Sequence, residues 1–417
     1  MEKDYIKNIF TVAGGVFMSQ ILTILISPIL TRIFSSESFG IIAVFLAIVN
    51  VLTVIATFRI ENILFLPDTK EEAFSLLNLL IKTVIIFSII FCLASFFLPL
   101  QFSILLFGKD QSHWFYWIPL LVVLNGLFYG FRNWLQSIKK YRTTTFWGIV
   151  KSIILNGILL IGGYFSSSPE IFLIANIIAQ TIETGFLFIQ VIKNEGSNFS
   201  IRPRHEFNQL FFKYKNFPKY ALPADLLNVY ANQNPIVLLA YFFNSGTVGF
   251  FSLTQRVIGI PIKLVTSSTS EVFKQKASEE YNLKGNCKKS FFDTFSFLLT
   301  VSILPTIIIV AFSPFLFELV FGPEWIEAGV YARYLSIMFF FRFCISPLGF
   351  TLMISQKQKW NLIWQSFLLI VTSLGIYTGV IFDSPRVSIL SFSIVYSFMY
   401  LIYFFISLRA AKGFKEK

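Results

Sequence analysis

Apolar runs long enough to cross a membrane recur along this 417-residue chain, separated by short polar gaps. A membrane-spanning α-helix needs about 20 mostly apolar residues, and runs of that length occur throughout the sequence. Charged residues make up only 13% of the chain, about half the share that is usual in soluble proteins. These features exclude a soluble protein, a disordered chain and a disulfide scaffold. They predict an all-α, polytopic membrane protein of about 12 transmembrane helices.

The predicted spans form two sets of six, separated by a polar and basic stretch. They are residues 6–32, 39–66, 74–98, 114–136, 146–165, 171–192, 217–243, 248–272, 291–320, 331–355, 362–381 and 387–408. We therefore expect an N-terminal six-helix bundle at 1–192, a basic cytoplasmic linker at 193–216 and a C-terminal six-helix bundle at 217–417.

The loop charges predict the orientation of the chain. If the N-terminus is cytoplasmic, the cytoplasmic segments hold 23 lysines and arginines, and the outer segments hold four. Positive loops stay on the cytoplasmic side of a membrane, so we expect both termini to be cytoplasmic. Most of the net charge of +12 then serves orientation and attracts anionic membrane lipids, and nucleic-acid binding is not needed to explain it.

The two halves resemble each other in local sequence. Residues 31–45 (TRIFSSESFGIIAVF) align with 240–254 (AYFFNSGTVGFFSLT), and 105–110 (LLFGKD) with 319–324 (LVFGPE). Since each half has an even number of predicted spans, both halves run in the same direction. This predicts a pseudo-twofold axis along the membrane normal, with a binding site between the bundles.

No motif of a soluble enzyme is present. The chain has no GxxxxGK[ST] phosphate-binding loop, its three cysteines show no CxxC spacing, and its two histidines lie in polar connectors. We therefore expect no catalytic residues, no metal site and no cofactor.

Charged residues within the spans are the most informative positions, because a charge in mid-membrane usually faces a cavity or a partner. Basic residues outnumber acidic ones there by seven to four, which predicts a cavity that attracts an anion such as a phosphate or diphosphate. The basic residues are Arg59, Lys82, Arg132, Lys151, Arg256, Lys263 and Arg342, and the acidic residues are Glu61, Glu183, Asp225 and Glu271.

These charges differ in depth. Lys82 and Lys151 lie near span ends, where a long side chain can place its ammonium group in the membrane interface. This explains why a lysine is tolerated at these positions. Arg256 and Arg342 lie deeper, and Arg256 shares a helical face with Lys263, so we favour a cavity role.

Five other charges have two readings that stay open at this point. Arg59 and Glu61 lie at the inner end of the second span, where they either face a cavity or lie in the interface. For Arg132, a position facing a cavity and a position in the interface explain the sequence equally well. Asp225 and Glu183 are salt-bridge partners or, together with Glu61, sites that bind H⁺ or Na⁺.

Three segments resemble one known family. Residues 217–282 (FPKYALPADLLNVYANQNPIVLLAYFFNSGTVGFFSLTQRVIGIPIKLVTSSTSEVFKQKASEEYN), 321–349 (FGPEWIEAGVYARYLSIMFFFRFCISPLG) and 28–45 (PILTRIFSSESFGIIAVF) are similar to Wzx-type polysaccharide flippases. These proteins belong to the multidrug, oligosaccharidyl-lipid and polysaccharide exporter superfamily. The resemblance implies a MATE-like fold of two six-helix bundles around a central cavity.

The resemblance also implies an activity. It is the transfer of an undecaprenyl-diphosphate-linked oligosaccharide, such as an O-antigen repeat of lipopolysaccharide, to the outer leaflet of the bacterial inner membrane. An ion gradient and other polysaccharide-assembly proteins are implied as partners. Arg59, Arg256 and Arg342 match the cationic positions of the family, and Lys263 and Arg132 complete the expected substrate-binding set.

Two alternative functions remain open. A polytopic polysaccharide polymerase or glycosyltransferase would need an outer active-site loop, whereas the outer connectors here are short, such as residues 166–170. A drug or small-solute exporter of the same fold would favour an acidic cavity, contrary to the basic excess.

Overall fold

The computed structural model describes residues 2–67, 69–97, 100–195, 213–214 and 222–413. Within these ranges the chain forms α-helices and short 3-10 turns, without a β-strand. The helices are α1 (Glu2–Ile33), α2 (Ser36–Thr57), α3 (Ile60–Ile63), α4 (Lys70–Ser95), α5 (Leu100–Phe107), α6 (Ile118–Ser137), α7 (Tyr141–Phe165), α8 (Glu170–Glu195), α9 (Leu222–Phe242), α10 (Ser245–Lys284), α11 (Lys288–Phe321), α12 (Ile326–Ile345), α13 (Thr351–Ile354), α14 (Gln358–Ile381) and α15 (Pro385–Ala411).

The predicted all-α membrane architecture is confirmed. In the described part of the chain, ten helices are long and apolar enough to cross a membrane. Within the described residues, each of the twelve predicted spans overlaps one long helix, and α1 and α9 are the long helices that overlap the two spans beyond those ten. The protein is therefore a multi-pass membrane protein.

Among the helix ends that differ from the prediction, those of α2 and α10 have a clear cause in the backbone. α2 stops at Thr57 because Phe58 and Arg59 adopt left-handed backbone angles, with φ of 48° and 59°. Left-handed residues cannot continue a right-handed helix, so the chain turns there and restarts as α3. At the other extreme, α10 continues twelve residues beyond its predicted end and stops at Gly285, whose φ is +66°.

Local capping explains where corresponding helices begin in the two halves. The side chain of Ser35 accepts a hydrogen bond from the backbone N–H of Ser38 and so caps α2. Asn244 accepts in the same way from the N–H of Thr247 and caps α10. Serine and asparagine are favoured at this position because they satisfy an N–H that has no partner in the helix.

The chain divides into two compact units, unit 1 (Met1–Gln233) and unit 2 (Asn234–Lys417). In unit 1, α7 packs against α1 and α8, and α6 packs against α2, α4 and α8. In unit 2, α12 packs against α10, α11 and α15, and α14 packs against α15. The boundary between the two units falls inside α9. The bundle boundaries expected from the sequence, at 192 and 217, stay a prediction.

The aligned LLFGKD and LVFGPE segments fold alike within their own units. Each contains a glycine with positive φ, Gly108 in unit 1 and Gly322 in unit 2, followed closely by a 3-10 turn. Each turn carries a fully buried tryptophan that packs edge-on against a phenylalanine, Trp114 against Phe45 and Trp325 against Phe250. The sequence similarity therefore reflects the same local structure, in which a glycine with positive φ and a short 3-10 turn connect two helices.

Candidate functional site

Unit 1 contains a polar cavity of about 290 Å³ between α1, α6, α7 and α8. Three charged side chains of the predicted set line its wall, together with smaller polar groups. The wall includes Ser19, Gln20, Tyr129, Arg132, Lys151 and Glu183. A polar cavity among apolar helices is a place where charges within a span can be tolerated.

An ion pair stands at the centre of this wall. The Lys151 Nζ lies 3.2 Å from the Glu183 Oε2, and it donates a hydrogen bond to the Gln180 side chain. The Glu183 side chain is 2% exposed and that of Lys151 is 29% exposed. Lys151 was expected to reach the membrane interface, and the structure shows it paired inside the bundle instead. Glu183 is therefore a salt-bridge partner in this structure, and its role in ion coupling stays a prediction.

Arg132 lies on the same cavity wall without a carboxylate partner. No carboxylate within the described ranges lies within 4 Å of its guanidinium, which packs over the Phe128 ring at 5.7 Å. The Lys151 ammonium lies over the same ring at 5.2 Å. The cavity wall therefore carries one excess positive charge.

Arg59 belongs to a second cluster in unit 1. The left-handed turn at Phe58 and Arg59 directs the guanidinium toward two carboxylates. The Arg59 Nη1 lies 3.2 Å from the Glu61 Oε1, and the Arg59 Nε lies 2.9 Å from the Asp225 Oδ2 on α9. Asn133 of α6 donates to the backbone carbonyl of Glu61 and so fixes the turn. Asp225 is therefore a salt-bridge partner in this structure.

The two deep arginines of unit 2 have different surroundings. Arg256 on α10 and Arg342 on α12 are partly buried, and within the described ranges neither has a carboxylate within 4 Å. Tyr396 and Tyr400 of α15 lie near Arg342. Lys263 lies two turns beyond Arg256 and is exposed. The substrate-binding role of these residues stays a prediction.

Within the described residues, no group of three His, Cys, Asp or Glu side chains comes together in a way that could hold a metal ion.

Sequence reasoning missed the contribution of α7 to the cavity. Thr144, Gly148 and Lys151 all line it, and their spacing of four and three residues places them on one helical face. That spacing is visible in the sequence, but which face of α7 meets α8 depends on packing. Gly148 faces the Glu183 carboxylate, since an added Cβ would lie in ordinary van der Waals contact with its Oε1, at 3.8 Å.

The fold is shared with membrane transporters of known structure. The structure matches that of the lipid II flippase MurJ in an inward closed conformation, with a TM-score of 0.69 and 17% identity over 95% of this chain and 87% of that one. It also matches an inward-facing MATE-family multidrug resistance transporter of the MOP superfamily, with a TM-score of 0.64, 14% identity and 94% coverage of both chains. The expected MATE-like fold is confirmed. One of these neighbours is named a flippase and the other a transporter.

Residues 29–330 match the family described as polysaccharide biosynthesis protein, and the chain belongs to that family. A curated relative is the teichuronic acid biosynthesis protein TuaB of Bacillus subtilis (strain 168), which is 21% identical over 274 residues. The match covers 65% of this chain and 54% of TuaB, so the chain spans about half the length of this relative.

Proposed function

We propose that the protein is a flippase for undecaprenyl-diphosphate-linked oligosaccharide repeats. It moves the head group of this lipid from the cytoplasmic to the outer leaflet of the bacterial inner membrane, for a surface polysaccharide such as O-antigen. Membership of the polysaccharide biosynthesis family supports the polysaccharide, and the MATE-like fold supports transport. The name of the relative TuaB supports a surface polysaccharide without favouring O-antigen or lipopolysaccharide. The loop charges support two cytoplasmic termini.

The observation that carries this proposal is the presence of deep arginines without carboxylate partners. Arg256 and Arg342 lie within helices long enough to span the membrane, and neither forms an ion pair within the described ranges. A cation at the centre of a membrane costs about 2.5–3.5 kcal/mol on insertion scales. A diphosphate offers the negative charge that would compensate two such cations, and Lys263, Arg59 and Arg132 would extend the basic surface.

The transport step follows from the chemistry of the substrate. The diphosphate and the sugars are polar and would occupy basic, hydrated surfaces of the protein, while the polyprenyl chain stays in the lipid. Rocking of the two bundles would then expose the head group on the other side. An H⁺ or Na⁺ gradient would drive the cycle through a carboxylate, for which Asp225, Glu61 and Glu183 are the candidates. Asp225 is the most exposed of them, with 39% of its side chain accessible.

Charge reversal tests the proposal. Arg256→Glu and Arg342→Glu should each abolish flipping of a fluorescent undecaprenyl-diphosphate oligosaccharide in proteoliposomes, with normal protein levels in the membrane. Both variants should also abolish surface polysaccharide in the cell. Arg333→Glu is the matched control, because Arg333 lies on the same helix as Arg342 but is exposed and contacts the Ala311 carbonyl. Normal flipping by both Arg256→Glu and Arg342→Glu would contradict the proposed role.

A further inference from the structure

One face of α10 carries a line of polar side chains that runs through the predicted membrane span. The positions follow one another at intervals of four, seven, four, three and four residues, and they are Ser252, Arg256, Lys263, Ser267, Ser270 and Lys274. At about 3.6 residues per turn, all of them lie within about 60° of one another around the helix axis. They therefore form one continuous polar stripe.

The polar stripe is as long as the hydrocarbon core of a membrane is thick. Ser252 and Lys274 are 22 positions apart on α10. This separation corresponds to about 33 Å along a helix, and the hydrocarbon core of a bilayer measures about 30 Å. Lys274 lies just beyond the predicted inner end of the span at residue 272. In the predicted orientation, the stripe therefore begins at the cytoplasmic surface and crosses the membrane.

The polar stripe is separate from the face of α10 that packs inside unit 2. That packing face carries Phe251 and Phe273, which are each 1% exposed. Lys263 and Lys274 of the stripe are exposed. An exposed lysine within a span is unfavourable against lipid tails, so this face of α10 requires water or an anion beside it.

The stripe offers positive charge that no carboxylate cancels. Within the described ranges, none of its three cations has a carboxylate within 4 Å. The Lys274 ammonium lies 5.3 Å from the centre of the Phe350 ring, a contact that holds the ammonium without neutralising it. One turn from Arg256, the buried hydroxyl of Ser252 has no hydrogen-bond partner among the described residues. A hydroxyl can rotate to donate to an anionic oxygen, so both groups suit an anion.

Positive charge is confined to the inner part of the stripe. Residues 245–255 of α10 contain no charged side chain, and Arg256, Lys263 and Lys274 follow toward the cytoplasmic end. Along the helix axis, about 10.5 Å separates Arg256 from Lys263 and about 16.5 Å separates Lys263 from Lys274. A diphosphate is too small to contact all three cations at once. An anion that arrives from the cytoplasm therefore meets them in sequence, beginning with Lys274.

We propose that the polar stripe of α10 guides the substrate diphosphate from the cytoplasmic surface to Arg256, and that Lys274 is the residue that captures it. The proposal rests on the proposed flippase function and adds Lys274 to the residues that contact the substrate. Because capture precedes translocation, Lys274 sets the apparent affinity for the substrate, whereas Arg256 serves translocation. Beyond Arg256, the uncharged outer end of the stripe favours release.

The direct test measures flipping kinetics of the purified full-length protein in phosphatidylcholine liposomes. The initial rate at increasing mole fractions of a fluorescent undecaprenyl-diphosphate oligosaccharide gives KM and the maximal rate. Lys274→Gln should raise KM by about fivefold and leave the maximal rate unchanged, because loss of a peripheral charge slows association. An unchanged KM would overturn the capture role. Lys274→Arg keeps the charge and should keep the wild-type KM, and a KM as high as that of Lys274→Gln would contradict a role for the charge.

Lys276 provides the matched control on the same helix. It is exposed and carries the same charge, but its position two residues further along places it about 160° away from Lys274 around the axis. Lys276→Gln should therefore leave KM unchanged. An equal rise in KM for Lys274→Gln and Lys276→Gln would reveal a general effect of surface charge and overturn the assignment.

Glu271 gives a test with the opposite sign, which does not depend on the folding of a Lys274 variant. It is exposed, lies three residues before Lys274, and forms no ion pair within the described ranges. Glu271→Gln removes a negative charge beside the path of the anion, so KM should fall by about twofold. An unchanged or higher KM would contradict guidance by the charges of the stripe.

Two further measurements separate the substrate from other causes. The comparison of the wild type with Lys274→Gln is repeated in liposomes that also contain phosphatidylglycerol. A difference in KM that appears only with this anionic lipid would mean that Lys274 binds a lipid head group, which would overturn the proposal. Absence of flipping by the wild-type protein would refute the flippase function itself, whereas normal flipping with the same KM in both proteins would refute only the capture role.

Discussion

The two units handle positive charge within the membrane in different ways. In unit 1, Arg59 is held by Glu61 and Asp225, and Lys151 is held by Glu183. In unit 2, Arg256 and Arg342 have no carboxylate within 4 Å in the described part of the chain. Arg59 and Lys151 of unit 1 are therefore neutralised, with Arg132 as the exception in that unit, whereas Arg256 and Arg342 of unit 2 keep their net charge.

The difference separates charges that serve structure from charges available to a ligand. A cation that is paired with a carboxylate attracts distant anions only weakly, because the two charges largely cancel. Removing the carboxylate leaves a buried cation without compensation, which is unfavourable. An unpaired cation in a low-dielectric region attracts anions and contributes little to stability. The comparison therefore predicts opposite effects of mutation on stability and on transport in the two units.

The largest loss of stability is expected for Glu183→Leu. It leaves the Lys151 ammonium within the membrane without its carboxylate, so the free energy of unfolding should fall by about 3 kcal/mol. Thermal unfolding in detergent measures the loss, with Glu271→Leu as the control, because Glu271 is exposed. Adding Lys151→Leu to Glu183→Leu should restore most of the stability. A double variant as unstable as the single one would show that the pair is not the cause.

Arg59→Met should have the next largest effect. It removes the cation beside Glu61, which is 3% exposed, and should lower the free energy of unfolding by about 2 kcal/mol. Arg59→Lys should recover only part of this, because an ammonium cannot reproduce the geometry of a guanidinium that contacts two carboxylates. Thermal unfolding compares the two variants. Full stability of Arg59→Met would mean that the cluster does not stabilise unit 1.

Arg342→Met should change stability by less than about 1 kcal/mol, because no ion pair within the described ranges is broken. Flipping in proteoliposomes should nevertheless be lost, since the substituted side chain cannot attract an anion. Parallel measurements of unfolding and flipping check both parts. A loss of stability like that of Glu183→Leu would contradict the contrast between the units.

The smallest effect is expected for Arg386→Ala in unit 2. Arg386 forms two hydrogen bonds to Glu327, at 2.8 and 2.6 Å, but its side chain is 58% exposed. Exposed ion pairs contribute about 0.2–1 kcal/mol, and salt screens them, so the loss should shrink further at high ionic strength. Unfolding at two salt concentrations measures it. A loss independent of salt would point to a packing role.

The helices could largely be predicted from the sequence, because an apolar run of spanning length has one stable form in a bilayer. Their ends were harder to predict where backbone angles decided them. The left-handed residues Phe58 and Arg59 end α2 inside an apolar run that would otherwise continue. The contact between Arg59 and Asp225 could not be predicted either, because these two residues are far apart in the sequence and meet only in the folded chain.

The sequence by itself determined that this chain crosses a membrane repeatedly and that its spans carry more cations than carboxylates. Both conclusions follow from the composition and from the order of residues along the chain, and neither depends on how the helices pack. Only the tertiary structure decided which cations are neutralised. Lys151 and Glu183 lie on different helices, and whether they meet depends on the faces that α7 and α8 turn toward each other. Pairing depends on distances of a few ångströms between helices, and helix packing sets those distances.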